Sequence, residues 1–148
     1  MKLKKPRKNE VHLWKANLDQ PSARVDNLLR ILSREERERA DRFHLERDRN
    51  RFVVGRGLLR KILGRYLVID AAAVRFEYNA TEKPFLASGS SDLRFNLSHS
   101  QGLVVYALAL GRDVGVDVER VRSDIDWEGI SGRYFSASEN KALRSFPE

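Results

Sequence analysis

Apolar residues in this chain recur at intervals of three and four between Pro21 and Gly64. Between Val74 and Glu119 they recur at every second position in several short runs. The first period belongs to a helix with one buried face, the second to a strand with one buried face. A chain that carries the two periods in separate blocks folds as helices packed on a mostly antiparallel sheet, the α+β class. A first strand is predicted over residues 11–18, ahead of the helical block, with Val11, Leu13 and Lys15 alternating against His12 and Trp14.

Three helices follow in the reading. Pro21 and Ser22 open a short one carrying Val25, Leu28, Leu29 and Leu32. Ser33 and Glu36 form a capping box for a second, from Arg34 to about Phe43. The third runs from about Arg47 to Tyr66, with Phe52, Leu59, Ile62 and Tyr66 as its apolar stripe and Gly55 as a small packing position. Arg49, Arg56 and Arg60 fall off that stripe. In the second block, Val74, Phe76 and Tyr78 mark a strand. A polar turn through Thr81, Glu82, Lys83 and Pro84 leads into a Ser/Gly-rich loop over residues 87–92. Strands are predicted over 93–97, 103–110 and 114–119, the last two joined as a hairpin by Gly111-Arg112-Asp113. Ser136 and Glu139 form a second capping box and open a helix that holds Leu143 and Phe146.

Length and composition bound the function. The 148 residues suit one domain, or one and a fragment, and residues 1–9 read as a solvated basic tail. The absence of Cys excludes disulfides, thiolate metal sites and cysteine catalysis. No apolar run approaches the ~18 residues of a membrane span, and no apolar stretch follows the basic start, so the sequence reads as cytoplasmic with no membrane partner. With 28 Lys and Arg against 21 Asp and Glu the formal charge is +7, which predicts an anionic partner: nucleic acid, a phosphorylated ligand or an acidic protein.

Three groups of residues can carry chemistry. Asp117 and Glu119, two apart on a predicted strand, leave the same face while Val114, Val116 and Val118 take the other. Two such carboxylates can converge on one Mg2+, which takes its remaining ligands from water and phosphate; alone, the pair equally describes the wet face of an edge strand. In Phe95-Asn-Leu-Ser-His-Ser100, Ser98, His99 and Ser100 are predicted to leave the strand in a turn that exposes hydroxyls, an imidazole and backbone N–H groups, a set that suits phosphate oxygens. The third group is cationic: Lys83 beside Pro84, Arg37, Arg39 and Arg42 on the second helix, and Arg49, Arg51, Arg56 and Arg60 on the third. Singly, each of these reads as part of a solvated face paired with nearby Glu residues.

In combination and in order, Glu82-Lys-Pro84, Phe95-Asn-Leu-Ser-His-Ser100, Gly115-Val-Asp-Val-Glu119 and Arg133-Tyr-Phe-Ser136 with Glu139 resemble the 4′-phosphopantetheinyl transferases of the surfactin-synthetase-activating type. Upstream, Glu38-Arg39-x-x-Arg42-Phe43 and Gly57-Leu-Leu-Arg60 are similar to the N-terminal half of that family. The resemblance implies transfer of phosphopantetheine from coenzyme A to a serine of an acyl or peptidyl carrier protein, releasing adenosine 3′,5′-bisphosphate. It implies Asp117 and Glu119 as the Mg2+ carboxylates, with His99 counted beside them in the catalytic set. It implies Arg39, Lys83, Ser98 and His99 as residues that hold coenzyme A phosphates. Fatty-acid, polyketide, nonribosomal-peptide and lysine-pathway carriers all fit as acceptors.

The resemblance also implies a pseudo-twofold fold of two similar halves with the site between them. On that reading residues 10–112 are a complete N-terminal half and residues 113–148 the start of a truncated second half. The family's Trp-x-x-Lys-Glu-x-x-x-Lys helix has no counterpart here, and Glu82 stands where the family usually has Gly. The chain is therefore expected to be incomplete for catalysis by itself and open to self-association through the truncated half. Two other readings are weighed. A basic nucleic-acid-binding module has the charge in its favour. Against it, the aromatics are not clustered for base stacking, and Asp117 and Glu119 would repel a phosphate backbone, so no nucleic-acid partner is expected. A non-catalytic remnant that binds coenzyme A or a carrier protein is the other.

Overall fold

The computed structural model describes residues 3–80, 83–87 and 91–146. Thr81 and Glu82 of the predicted turn, and residues 88–90 of the predicted loop, lie outside the described residues. Strand β1 (Val11–Asn17) is followed by helices α1 (Ser22–Leu29), α2 (Arg34–Ala40) and α3 (Glu46–Leu67). A short hairpin of β2 (Phe76–Tyr78) and β3 (Pro84–Leu86) leads to β4 (Leu93–Ser100) and β5 (Leu103–Leu110), and then to α4 (Trp127–Tyr134) and α5 (Ala137–Leu143). The main sheet has the order β1-β5-β4 with both pairings antiparallel, so the α+β reading holds.

The register gives the two faces of this sheet different partners. Trp14, Tyr106 and Leu97 stand side by side, as do His12, Leu108 and Phe95, and this row of the pleat faces the helices. Val104, Tyr106 and Leu108 join Val53, Val54, Leu59, Leu63 and Tyr66 of α3 and Val25 and Leu28 of α1 in one buried core. Burying each such Leu or Val is worth about 1.5–3 kcal/mol relative to exposure. The Tyr106 hydroxyl donates to the Gly55 carbonyl oxygen at 2.8 Å, tying the middle strand to α3. Close approach of α1 and α3 needs Gly57, where a Cβ would stand 2.8 Å from the Leu28 Cβ; Gly55, the predicted packing glycine, has ordinary room.

Several expectations are corrected. The buried face of α3 centres on Val53, Val54 and Leu63 rather than on Phe52 and Ile62. Arg56 and Arg60, read as solvated, are buried with Glu36. Glu36 explains this: it caps its own helix, taking the Ser33 backbone N–H at 2.9 Å, and meets the Arg60 Nε at 2.7 Å. Arg60 also donates to the Val74 carbonyl oxygen at 2.9 Å, so its charge is paired and most of its donor capacity is used inside the protein. The predicted basic tail is not wholly solvated, because Pro6 is fully buried and Leu3 packs against the core.

The predicted strand over 114–119 and its hairpin with β5 do not form. The hairpin partner of β5 is β4, through Gln101 (φ 50°) and Gly102 (φ 86°), the left-handed pair that a two-residue hairpin requires. Ser98, His99 and Ser100 are consequently strand residues, not turn residues. The alternation after Gly111 survives as burial alone: Val114, Val116 and Val118 are half-buried, while Asp117 and Glu119 are exposed. Helix α4 and strand β3 were not predicted. The second capping box forms as read, with Ser136 and Glu139 satisfying each other's backbone N–H groups at the start of α5.

Candidate functional site

Strand β4 presents successive residues to opposite faces, and this divides the candidate residues into two groups. His99 pairs across the sheet with Val104, on the face turned toward the helices. There it lines a groove of about 500 Å3 together with Arg39 of α2, Arg51, Phe52 and Arg56 of α3, and Gln101 of the hairpin turn. Phe52 is the floor between two cations: the Arg39 guanidinium lies 5.7 Å and the Arg56 guanidinium 5.8 Å from its ring centre. Such stacking holds a guanidinium in place against the ring.

One end of this groove is built by Arg51, whose Nε and Nη2 donate to the two Asp19 oxygens at 2.7 and 2.8 Å. The guanidinium holds the Asp19 carboxyl below the usual carboxylate range, and Asp19 raises Arg51 in turn. Gly102 is required at this end on two counts, its positive φ and the 2.7 Å that would separate a Cβ from Asp19 Oδ2. Arg51 and Asp19 were not singled out as a pair in the sequence. They lie on different elements, and nothing in their local spacing joins them.

Lys83 lies in a neighbouring cavity of about 780 Å3 with Asn79, Arg94 and Asp113. Its backbone N–H donates to Asn79 Oδ1 at 2.9 Å. Pro84 lines both cavities, so it forms the ridge between Lys83 and the Arg39–His99 groove. The four predicted phosphate-binding residues are thus not gathered in one groove.

Ser98 belongs to the opposite face. Its hydroxyl donates to Asp117 Oδ1 at 2.7 Å and accepts the Val118 N–H at 3.2 Å. Two residues away on each side the pattern repeats: Asn96 Oδ1 accepts the Val116 N–H at 3.2 Å, and the Ser100 hydroxyl donates to Glu119 Oε2 at 3.4 Å. Side chains of β4 therefore take the place of a backbone ladder and hold the segment that carries both carboxylates. Asp117, Glu119 and the Ser98 hydroxyl are hard oxygen donors near solvent, a set that fits Mg2+, which takes one or two carboxylates and completes its shell with water and phosphate. Among the described residues no group of three or more His, Cys, Asp or Glu side chains that could hold a metal ion forms. Among those residues, too, no helix is long and apolar enough to cross a membrane.

Comparison with known proteins places the chain. The family profile described as 4′-phosphopantetheinyl transferase, N-terminal, matches residues 14–110. The chain belongs to the 4′-phosphopantetheinyl transferases of the surfactin-synthetase-activating type. It is 43% identical over 142 residues to the 4′-phosphopantetheinyl transferase HetI of a Nostoc species, covering 95% of this chain and 60% of that protein. A 4′-phosphopantetheinyl transferase of Bacillus subtilis is 29% identical over 131 residues, with 86% and 56% covered. The human L-aminoadipate-semialdehyde dehydrogenase-phosphopantetheinyl transferase is 31% identical over 129 residues, with 81% and 42% covered. The chain spans 60% or less of the length of these curated relatives.

Proposed function

We propose that the complete protein transfers 4′-phosphopantetheine from coenzyme A to a serine hydroxyl of an acyl or peptidyl carrier protein, and that this chain supplies one wall of the site. The observation that carries the reading is the split at Ser98 and His99. Adjacent residues of one strand serve, on one face, a cationic groove and, on the other, a pair of exposed carboxylates. Coenzyme A carries a phosphate and a pyrophosphate on its ribose, so the cationic face can receive one group and the carboxylate face, through a bound cation, another.

In this reading Arg39 and His99 receive one phosphate group of coenzyme A, and Lys83, across the Pro84 ridge, receives another. Asp117 and Glu119 would hold Mg2+, with Ser98 orienting Asp117 through its hydrogen bond. The ion, when bound, neutralises charge on the pyrophosphate. Phosphoryl transfer depends on position and charge neutralisation more than on covalent help, and binding and orientation are what these residues can provide. The formal charge of +7 favours encounter with an acidic carrier protein.

The test is mass spectrometry of a carrier protein incubated with coenzyme A and Mg2+. The expected result is no gain of phosphopantetheine with this chain alone. A gain is expected once the chain is joined to, or supplied with, the C-terminal portion of a relative that it does not match. In that complete enzyme Asp117→Ala should abolish transfer without lowering the unfolding temperature, since Asp117 is exposed. Wild-type turnover by Asp117→Ala at low Mg2+ would overturn the metal assignment.

A further inference from the structure

Arg56 is a charge that the protein has buried without fully pairing. Its side chain is 8% exposed, against 3% for Glu36. Both Glu36 oxygens face arginines, but unequally. Oε2 is taken by Arg60 at 2.7 Å and by the Ser33 N–H at 2.9 Å. Oε1 stands 3.6 Å from the Arg56 Nε, too far for a hydrogen bond, and makes none elsewhere among the described residues. One carboxylate cannot neutralise two guanidiniums, and Arg60 holds the better position.

Around Arg56 the described residues offer aromatic faces in place of acceptors. Its guanidinium lies 5.8 Å from the ring centre of Phe52, 5.2 Å from Phe76 and 5.9 Å from Tyr78. These rings fix a cation in space but satisfy none of its N–H groups. Nη1 has no hydrogen-bond partner among the described residues. Burial is the main influence on this group, and it pushes the guanidinium below its ordinary pKa, though an arginine remains protonated at neutral pH. A buried charge left in this state costs stability that a surface arginine would not. Arg56 lines the same groove as Arg39 and His99.

We infer that Arg56 is an anion-receiving residue of this groove, holding a fixed positive charge at its base for a phosphate-bearing ligand to neutralise. The inference uses the coenzyme A reading only for the identity of that ligand; the charge itself calls for any phosphate or pyrophosphate group. In a site of low dielectric the charge acts on an anion in the groove across a few ångströms, with or without direct contact.

Calorimetric titration of this chain with inorganic pyrophosphate tests it, comparing wild type, Arg56→Met and Arg56→Lys at two salt concentrations. Arg56→Met keeps the packing against the rings and leaves the Glu36–Arg60 pair intact. If it does not fold by circular dichroism, Arg56→Gln takes its place. The expected result is about a tenfold loss of affinity in the neutral variant, with a shallower dependence on salt, and little loss in Arg56→Lys. No pyrophosphate binding by wild type, or equal affinity in the neutral variant, would overturn the inference. So would equal losses in the Met and Lys variants with an unchanged salt dependence, the mark of a purely structural arginine. Pyrophosphate binding by wild type here, together with no phosphopantetheine transfer by the completed enzyme in the carrier-protein assay, would sink the proposed function and leave the role of Arg56 standing.

Discussion

Residues 11–110 and 113–146 of this chain are held by different physics. The first region is organised by apolar contact: the buried cluster draws on β1's neighbourhood, the three first helices and the sheet, and its last member is Leu108. The second contributes nothing to that cluster. Ser131 is the one residue of α4 and α5 that is buried, whereas Trp127, Ile130 and Phe135 are each close to half exposed and Tyr134 is 72% exposed. What attaches this region to the sheet is mainly polar, the row of Asn96, Ser98 and Ser100 side chains along β4, beside Val114, Val116 and Val118, which are only half-buried. Apolar burial sets a fold that resists change, whereas a few exposed hydrogen bonds, each worth about 0.5–1.5 kcal/mol, set a position that can shift. The carboxylates proposed for metal lie in the second kind of environment and the groove proposed to receive phosphate in the first.

The contrast is broken most sharply at its acidic residues. Glu36→Ala should destabilise the chain by about 3–5 kcal/mol in urea unfolding, because two buried guanidiniums lose the one carboxylate that faces them among the described residues. Asp117→Ala, which removes an equal charge from an exposed position, should leave the midpoint nearly unchanged. Comparable losses from the two would show that the polar attachment is structural after all. The apolar version of the same comparison pairs Leu63→Ala with Ile130→Ala. The first, fully buried in α3, should cost about 2–5 kcal/mol. The second, 48% exposed, should stay within about 0.5 kcal/mol. A large effect at Ile130 would mean that α4 is docked more tightly than its exposure indicates.

The smallest effect expected is in acid. Arg51 holds the Asp19 carboxyl below its ordinary range, and Arg122 does the same to Asp124. Arg51 and Asp19 are far apart in sequence and meet only in the fold, so Asp19 returns to a pKa of about 4 on unfolding. The stability it contributes is complete above that value and is lost as the pH falls through its lower folded value. Asp124 and Arg122 are neighbours in the chain and can meet in the unfolded state as well. Asp19→Asn should therefore flatten the acid limb of a plot of unfolding temperature against pH, and Asp124→Asn should not. The reverse result would put the tertiary contact in the second region.

The same division explains what the sequence disclosed. Elements specified by local signals were readable: the Ser33–Glu36 and Ser136–Glu139 boxes, the long apolar period of α3, and the unbroken β5 run. Strand β4 was read short, because Ser98, His99 and Ser100 have the composition of a turn while two-residue pairing with β5 keeps them extended. The stretch from Val114 to Glu119 has the alternation of a strand, but the Val116 and Val118 N–H groups bond to side chains of β4, and nothing in a one-dimensional pattern records that exchange. Helix α4 was missed because Gly129 and Gly132 weaken its propensity and Asp126, which caps it, is not part of a box. The burial of Arg56 and Arg60 was hidden for a deeper reason. Charge is read as surface until its counter-charge is located, and Glu36 had already been assigned to its helix cap. The groove residues were legible singly; their distribution over two faces of β4 follows from the hairpin register alone.

The pairing of β1 with β5 bears on how the molecule is made. Val11 lies opposite Ala109, so the first strand to be synthesised finds its partner only when nearly all of the first region has emerged. Helices α1 to α3 can form and pack on local information meanwhile, and the β4–β5 hairpin can close as soon as both of its strands exist. The N-terminal strand must then be threaded back onto the far edge of β5, an event of high contact order and the natural candidate for the slow step of folding. Until it happens, one edge of β5 is open to any other extended chain.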